Sequence, residues 1–591
     1  MKKILLVVSF LSIAFTVWGQ ATDGAGTPDP GRPSSNLPAD SPAWAQVLLD
    51  AINKTNDRID FYHGDGQRQE TSETSEKSAG SDFLRRVGDS AGTVVIIRYI
   101  GSDKEVNIPD QLEADQENGQ PGGTVVGIDY AAFADMELTK VYIPSSVTWI
   151  GESAFANNRL KAVSIPTSVN KIGASAFSGN QLENVQVPVG VTVLEYGVFS
   201  DNQLTKATLN QNLTTIGYAA FANNKLSNIT IPSNVTEIGG RAFDNNDLGT
   251  GTGAARGTII IPAKVTKIGE YAFSSNRLET IDIPNNVTEI GEGAFYANIL
   301  RTVTIGNGVK SIGYRAFNGE KFPNADTYAS RRDDSGVDYK VDYWGGNNLE
   351  TLTFAPDSKL ETIGEGAFGK NVLTTVKLPE SLITLENEAF AQNKLNASLT
   401  IPNKVVKIGD RAFDKNQLSL VIVGNSVETI GNSAFEENEL TRLILGTKVT
   451  VIGSRAFAGL PPDENDPEAE KKGNRLPSIV IPPSLKVVKD GAFRDNVLAN
   501  VTFPDSVEQI GNEAFASNKI TSVTFGSGLS DIGEGAFKTN VLTKVSIGSK
   551  VKTLGSEAFA ANKIVSVNVP NSIDAGVAKK AFDDSTVIAV Y

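Results

Sequence analysis

Imidazole and thiol side chains, which serve as general bases, nucleophiles and soft metal ligands, are nearly missing from this sequence of 591 residues. It contains no cysteine and a single histidine, His63. A Ser-His-Asp or Cys-His site needs an imidazole beside its nucleophile, and zinc sites built from His and Cys need several such ligands. Catalysis by carboxylates alone stays open, but the acidic residues occupy variable positions that are typical of a solvated surface. We therefore predict no catalytic residue, no metal ligand and no cofactor.

Apolar and amide side chains, by contrast, recur at a fixed spacing. The stretch IPSSVTWIGESAFANNRL from Ile143 returns as IPNNVTEIGEGAFYANIL from Ile283, and the full repeat reads L-x-x-V-x-I-P-x-x-V-x-x-I-G-x-x-A-F-x-x-N-x. Its phenylalanine lies at Phe133, Phe155, Phe177, Phe199, Phe221, Phe243, Phe273, Phe295, Phe317, Phe368, Phe390, Phe413, Phe435, Phe457, Phe493, Phe515, Phe537, Phe559 and Phe582. Most steps are 22 residues long. A fixed period of this length predicts a solenoid, in which each turn packs on the next.

Each repeat contains a V-x-I segment whose alternation and terminal Pro or Gly predict a short strand. Stacking then gives one short parallel strand per turn and a curved inner sheet, with the apolar consensus positions buried between turns. The glycine of I-G marks a position that does not accept a Cβ. Either its φ is positive or another backbone lies close to it, and both explanations stay open at this level.

An asparagine three residues after the phenylalanine recurs nearly as regularly. It lies at Asn158, Asn180, Asn202, Asn224, Asn246, Asn276, Asn298, Asn371, Asn393, Asn416, Asn438, Asn496, Asn518, Asn540 and Asn562. Because an amide both donates and accepts hydrogen bonds, such a side chain can bond loop backbone and the adjacent turn together. We interpret these residues as a buried structural ladder, with a binding role as the alternative.

The two motifs L-x-x-V-x-I-P and V-x-x-I-G-x-x-A-F resemble those of the BspA-like leucine-rich repeat family, the Treponema pallidum type. The resemblance covers about Val94 to Tyr591. Many members of that family carry Cys where this sequence carries the recurring Asn, so thiol chemistry is not expected here. The resemblance implies a leucine-rich repeat solenoid and a bacterial secreted or surface protein used for adhesion.

The first residues have the features of an export signal. Lys2 and Lys3 precede an apolar run, which predicts a signal peptide over residues 1–20 that is too short to span a membrane. Its removal lowers the formal net charge from −14 to −16, which disfavours a nucleic-acid partner. Residues 21–90 are predicted to be a linker with a short amphipathic helix over residues 42–57. We expect an exported protein, secreted or on the cell surface, with the periplasm as an alternative and no transmembrane segment.

The solenoid is predicted to occupy residues 91–591. Its end repeats, 91–133 and 560–591, are atypical, as is usual for caps. Three insertions lengthen individual turns, over residues 249–256, 319–347 and 459–475. The second insertion carries Tyr339, Tyr343 and Trp344, which either contact a partner or pin the loop to the scaffold.

The residue between V and I points away from the core and is mostly small and polar. The exceptions are Ile422, Ile444 and Val480 on three consecutive strands, with Leu420 beside them. Apolar side chains stacked at this spacing form either a partner-binding patch or a surface that the 459–475 insertion covers.

These features predict a bacterial adhesion or protein-recognition scaffold without catalytic activity. The expected partner is a host matrix protein or a surface protein of another cell, and a glycan is possible. The alternative is an architectural or carbohydrate-contacting protein of the cell envelope, whose repeats set length rather than read a partner.

Overall fold

The computed structural model describes residues 82–253, 256–320, 346–461 and 473–590, and the backbone of residues 331–332 and 338–339. The predicted signal peptide and the predicted helix 42–57 lie outside these ranges. The described residues confirm a parallel solenoid that coils with the 22-residue period.

The longest sheet runs along the segment that ends at I-G, which we call the I-G row. Its fifteen parallel strands are β10 (Val193–Leu194), β12 (Thr215–Ile216), β13 (Glu237–Ile238), β14 (Lys267–Ile268), β16 (Glu289–Ile290), β18 (Ser311–Ile312), β22 (Thr362–Ile363), β23 (Thr384–Leu385), β25 (Lys407–Ile408), β27 (Thr429–Ile430), β29 (Val451–Ile452), β30 (Val487–Val488), β32 (Gln509–Ile510), β34 (Asp531–Ile532) and β35 (Thr553–Leu554). From β12 onward, the residue after each strand donates its amide to the turn before, as Gly313 does to the carbonyl of Ile290 at 2.8 Å.

The V-x-I segments form a second, interrupted row, which we call the V-x-I row. Its strands are β3 (Glu105–Asn107), β6 (Lys140–Tyr142), β9 (Asn184–Gln186), β11 (Lys206–Thr208), β15 (Thr280–Ile283), β17 (Thr302–Ile305), β21 (Thr351–Phe354), β24 (Leu399–Thr400), β26 (Leu420–Ile422), β28 (Arg442–Ile444), β31 (Asn500–Thr502), β33 (Ser522–Thr524), β36 (Ser566–Val569) and β37 (Val587–Val590). They pair in groups of two or three. A turn of the solenoid therefore has two stacked segments rather than the single strand expected from the sequence.

Proline accounts for most of the breaks in the V-x-I row. A proline follows most V-x-I segments and has no amide hydrogen to donate to the preceding turn. Where Ala355 takes this place, its amide donates to the carbonyl of Ile305 at 2.8 Å, and β21 pairs with β17. Gly424 and Gly446 replace the proline beside the paired strands β26 and β28.

The N-terminal cap begins before the boundary at residue 91. Strand β1 (Phe83–Val87) pairs antiparallel with β2 (Thr93–Tyr99). A separate six-stranded sheet then joins β2 to the first I-G segments, β5 (Gly123–Ile128), β7 (Trp149–Ile150) and β8 (Lys171–Ile172). The short strand β4 (Gln111–Leu112) pairs with β5. Phe83 is 4% exposed, and its ring centroid lies 5.4 Å from that of Tyr99. Part of the predicted linker is therefore cap, because Phe83 covers the open end of the core.

The C-terminal cap combines the expected terminal strand with a helix. Helix α1 (Ala575–Ala581) begins after Asp574, whose Oδ1 accepts the amides of Gly576 and Val577 at 2.8 and 3.2 Å. Strand β37 then pairs parallel with β36. The N-cap carboxylate satisfies amides that otherwise have no intrahelical partner, so the short helix is stabilised at its start.

The recurring phenylalanines form one column through the core. Successive rings stack with nearly parallel planes, for example Phe273 on Phe295 at 5.4 Å and Phe295 on Phe317 at 5.1 Å between centroids. The column passes two insertions without a break, with Phe317 on Phe368 at 5.3 Å and Phe457 on Phe493 at 5.4 Å. Insertions thus leave the core register unchanged.

Close backbone approach explains the glycine of I-G. A Cβ at Gly291 would lie 2.5 Å from the amide nitrogen of Glu270 and 2.6 Å from the carbonyl carbon of Gly269, both in the preceding turn. The φ of Gly291 is not in the left-handed region. Positive φ occurs instead two residues before the phenylalanine and two after it, often at residues other than glycine, such as Ser275 and Ala297.

Candidate recognition surface

Each recurring asparagine joins two turns through its side-chain amide. The Nδ2 of Asn298 donates to the carbonyls of Phe273 at 2.8 Å and Phe295 at 3.2 Å. Its Oδ1 accepts the amide of Leu278 at 3.1 Å. The residue is fully buried. An amide suits this position because one side chain must supply donors and an acceptor at once.

Two further asparagines belong to this ladder and were missed from the sequence. Asn347 and Asn474 are 0% and 1% exposed. Their Nδ2 groups donate to the carbonyls of Phe295 and Phe435, at 2.9 and 2.8 Å. Insertions separate them from the phenylalanine of their own turn, so the F-x-x-N spacing does not reveal them. The N-x-L pattern that begins at each of them, which most of the other turns also show, is the signal that would have found them.

Glycines close the necks of both long insertions. A Cβ at Gly346 would lie 2.2 Å from the carbonyl oxygen of Glu320, and one at Gly473 would lie 2.6 Å from the amide of Leu460. The two ends of each insertion therefore touch and return the chain to the point where it left the turn. Residues 319–320 and 346–347, assigned to the insertion from the sequence, line this neck.

We expect deletion of residues 320–346 to leave the stability of the solenoid nearly unchanged. The deletion joins Gly319 to Asn347 and restores the F-x-x-N spacing after Phe317. It removes the partly exposed ion pairs of Glu320 with Arg315 and with Lys370, and pairs of this kind contribute about 0–1 kcal/mol each. The midpoint of thermal unfolding, followed by circular dichroism, should stay within about 3 °C of the parent.

The matched control is the same deletion carrying Asn347→Ala. It should unfold at a clearly lower temperature, because the restored turn then lacks its amide. A large loss from the deletion alone would show that the insertion supports the solenoid.

The exposed side of the V-x-I row is a face of small polar residues, which we call the open face. Thr208, Thr230, Thr353, Thr400, Thr502 and Thr524 are exposed there. Hydroxyl side chains on strands of this kind give a weakly charged surface, against which a few apolar residues stand out.

The structure brings Ile422 and Ile444 together on adjacent strands in direct register. Ile444 is 40% exposed, while Ile422 and Leu420 are partly buried. Val480, 84% exposed, takes the same position in the next turn. The partner of Leu420 in the register is Arg442, which is exposed. We call these five residues the apolar patch, although it includes one guanidinium.

Two other departures on the open face were not singled out from the sequence. Ile260 is 81% exposed and Tyr142 is 56% exposed, and both lie between V and I of their repeats. Comparing this one position in every repeat would have found them. Both are turns away from the apolar patch, so they do not extend it.

The aromatic insertion candidates lie almost wholly outside the described residues. Tyr343 and Trp344 are outside, and for Tyr339 the structure describes backbone alone. That backbone belongs to β20 (Asp338–Tyr339), which pairs antiparallel with β19 (Arg331–Arg332).

A model of the BspA-type leucine-rich repeat region matches residues 126–249, 255–326, 342–461 and 471–588, more than half of the chain. The chain belongs to the BspA-type leucine-rich repeat family. The resemblance carried by the two repeat motifs is thereby confirmed. A comparison with curated proteins found no match.

Solved structures of other leucine-rich repeat proteins are similar to this BspA-type chain at low identity. A leucine-rich repeat protein from Bacteroides ovatus is 20% identical, over 86% of this chain and 98% of that one, with a TM-score of 0.39. A leucine-rich cell surface protein from Faecalibacterium prausnitzii is 21% identical, over 78% and 96%, with a TM-score of 0.28. The Treponema pallidum leucine-rich repeat protein is 20% identical, over 50% and 88%, with a TM-score of 0.15. At these values the likeness says nothing about a partner.

In the described part of this BspA-type chain, no helix has the length and apolar character needed to cross a membrane. The same ranges contain no group of three or more His, Cys, Asp or Glu side chains placed to hold a metal ion.

Asp414, one residue after Phe413, is a buried carboxylate. Burial raises the pKa of Asp414 to about 6, opposed by Lys415 and reinforced by Glu436 in the next turn. Asp414 and Glu436 are 6% and 9% exposed. Arg455 forms an ion pair with Glu436, and this pair partly neutralises the negative charge that Glu436 places near Asp414.

We expect Asp414→Asn to stabilise the protein at pH 8 and to leave its stability at pH 4 unchanged. The folded-state pKa lies above the ordinary value of 3.8, so the native state favours the protonated carboxyl. Stability from this group is therefore fully present below about pH 4 and is lost as the pH rises through about 6. Allowing for solvent near the group, the gain at pH 8 is about 1–2 kcal/mol.

Urea unfolding at both pH values measures this difference. Asp282→Asn, on the open face, is the control and should change neither value. Equal effects of Asp414→Asn at pH 4 and pH 8 would contradict the assignment.

Proposed function

We propose that this protein is a secreted or surface-displayed recognition scaffold, without catalytic turnover, that binds a protein partner on its open face. The observation that carries the proposal is the apolar patch, since Ile444 and Val480 are exposed on a face that most other turns line with polar side chains. Exposed apolar residues grouped in this way are typical of interaction sites.

The composition of the patch favours a protein partner of a particular kind. Leu420, Ile422, Ile444 and Val480 offer a row of branched side chains on three successive turns, about 4.8 Å apart. Arg442 lies beside this row, in register with Leu420. A complementary partner presents an apolar centre with an acidic side chain next to it, because an interfacial guanidinium needs a carboxylate once water is removed.

The predicted signal peptide supports export, and adhesion to a host matrix protein or to another cell's surface protein is the role that best suits an exported scaffold. A rigid array of turns that each contact only their neighbours holds a long surface in shape without chemistry of its own. The strand stacking described above supplies that rigidity.

Ile444→Asp tests this proposal. The full chain is immobilised and exposed to a panel of purified matrix proteins, and binding is measured by biolayer interferometry. A carboxylate at the centre of the patch should weaken binding of the identified partner at least tenfold, about 1.4 kcal/mol.

Thr208→Asp is the matched control, since Thr208 is exposed on the same face many turns from the patch. It should bind like the parent. Equal loss from both variants would indicate a general charge effect rather than recognition at the patch. Unchanged binding by Ile444→Asp would contradict the proposal, because it would show that the partner binds at another part of the chain.

A further inference from the structure

A cleft of about 420 Å³ lies where the 249–256 insertion meets the following turns. Residues Gly249 to Gly253 and Arg256 form its wall, and Arg277, Glu279 and Ile299 form the rest of its lining. Arg277 and Ile299 follow the ladder residues Asn276 and Asn298 in consecutive turns. Arg277 and Ile299, which form the floor of the cleft, therefore belong to the regular repeats of the solenoid.

The wall of the cleft is anchored at several points. The amides of Gly249 and Gly251 both donate to the carbonyl of Ser227 at 3.2 Å, and the amide of Gly257 donates to the carbonyl of Gly249 at 2.8 Å. Thr250 and Arg256 form an antiparallel bridge across the loop. A Cβ at Gly249 would lie 2.2 Å from the carbonyl oxygen of Arg277, so only glycine fits at this contact.

The lining combines opposite charges with hydroxyls. Arg277 pairs with Asp247 at 3.3 Å, and their side chains are 38% and 41% exposed. Arg256, Thr250 and Thr252 are exposed at the wall. Guanidiniums bind carboxylates in a bidentate manner, while a carboxylate such as that of Glu279 accepts hydrogen bonds from hydroxyl groups.

We infer that this cleft is a binding site for an acidic saccharide unit, with its carboxylate on Arg256 and its ring hydroxyls on Glu279 and the threonines. An acidic peptide fits less well, because Glu279 would repel a second carboxylate while it accepts sugar hydroxyls. The volume lies in the range of small-molecule sites, about 300–1,000 Å³. This inference is independent of the apolar patch.

Calorimetric titration of the full chain with a glucuronate-containing tetrasaccharide tests the inference. A neutral N-acetylglucosamine tetrasaccharide and a glutamate-rich peptide are the comparison ligands. We expect binding of the uronate ligand alone, weakening as salt is raised. Arg256→Gln should reduce its affinity at least tenfold, the scale of a lost charge-assisted pair, about 1.4 kcal/mol.

Arg159→Gln is the control for the loss of one positive charge, because Arg159 is exposed like Arg256 but lies several turns from the cleft. It should bind like the parent. Deletion of 249–256 joins Leu248 to Gly257, restores the L-x-x-V spacing and should abolish binding. No binding of the uronate ligand, equal binding of the neutral one, stronger binding of the peptide or an unaffected Arg256→Gln variant would each overturn the inference.

Discussion

Replacing Phe295 with alanine should lower the free energy of unfolding of its part of the solenoid by about 3–5 kcal/mol. Phe295 is fully buried, and its ring stacks on Phe273 at 5.4 Å and on Phe317 at 5.1 Å. Truncation leaves a cavity that neighbouring turns cannot fill, because their own rings are held in the same column. Each turn contacts only the turns beside it, so the loss should divide the array at this point.

Differential scanning calorimetry measures both effects. The unfolding of the affected part should occur at a lower temperature than in the parent, and the single heat-absorption peak should separate into two transitions. Tyr142→Ala is the control, since this aromatic side chain is 56% exposed on the open face. Its effect should remain within about 0.5 kcal/mol. One transition at the parent temperature in Phe295→Ala would mean that the column does not hold the turns together.

Asn298→Ala should destabilise the protein by about 1–3 kcal/mol. The substitution leaves the amide of Leu278 without the acceptor that Asn298 supplies at 3.1 Å. It also removes the 2.8 Å bond to the carbonyl of Phe273, which keeps only the Nδ2 of Asn276 at 3.2 Å. Buried backbone groups without partners are costly, and water does not reach a fully buried site. Because these bonds join two turns, the loss weakens the interface between them.

Denaturant unfolding of Asn298→Ala beside Asp282→Ala measures the difference between the two sides of a turn. Asp282 is exposed on the open face, and its removal should change stability by no more than about 0.5 kcal/mol. Asn347→Ala should resemble Asn298→Ala, because Asn347 makes the same bonds across an insertion. Similar stability of the Asn298 and Asp282 variants would contradict the inside and outside assignment.

The sequence alone determined the solenoid, its period, the phenylalanine column and the residues of the open face. The physical reason is that a turn makes its contacts with adjacent turns, so the same residue types must recur at the same place in every copy. A position such as Phe295 is readable because its neighbours above and below are Phe273 and Phe317. The side-chain alternation of V-x-I likewise placed Ile444 on the exposed side.

The tertiary structure decided three features that the repeat pattern does not contain: which segments form the continuous sheet, where the insertions return to the ladder, and where a cleft forms. The continuous sheet follows I-G rather than V-x-I, since the proline after V-x-I removes the amide that would bridge two turns. The F-x-x-N spacing misses Asn347 and Asn474, and the structure places them beside the phenylalanine column because the glycine necks return the chain there. The cleft exists because a loop of irregular sequence packs against Arg277 and Ile299, and the repeat period carries no information about such a contact.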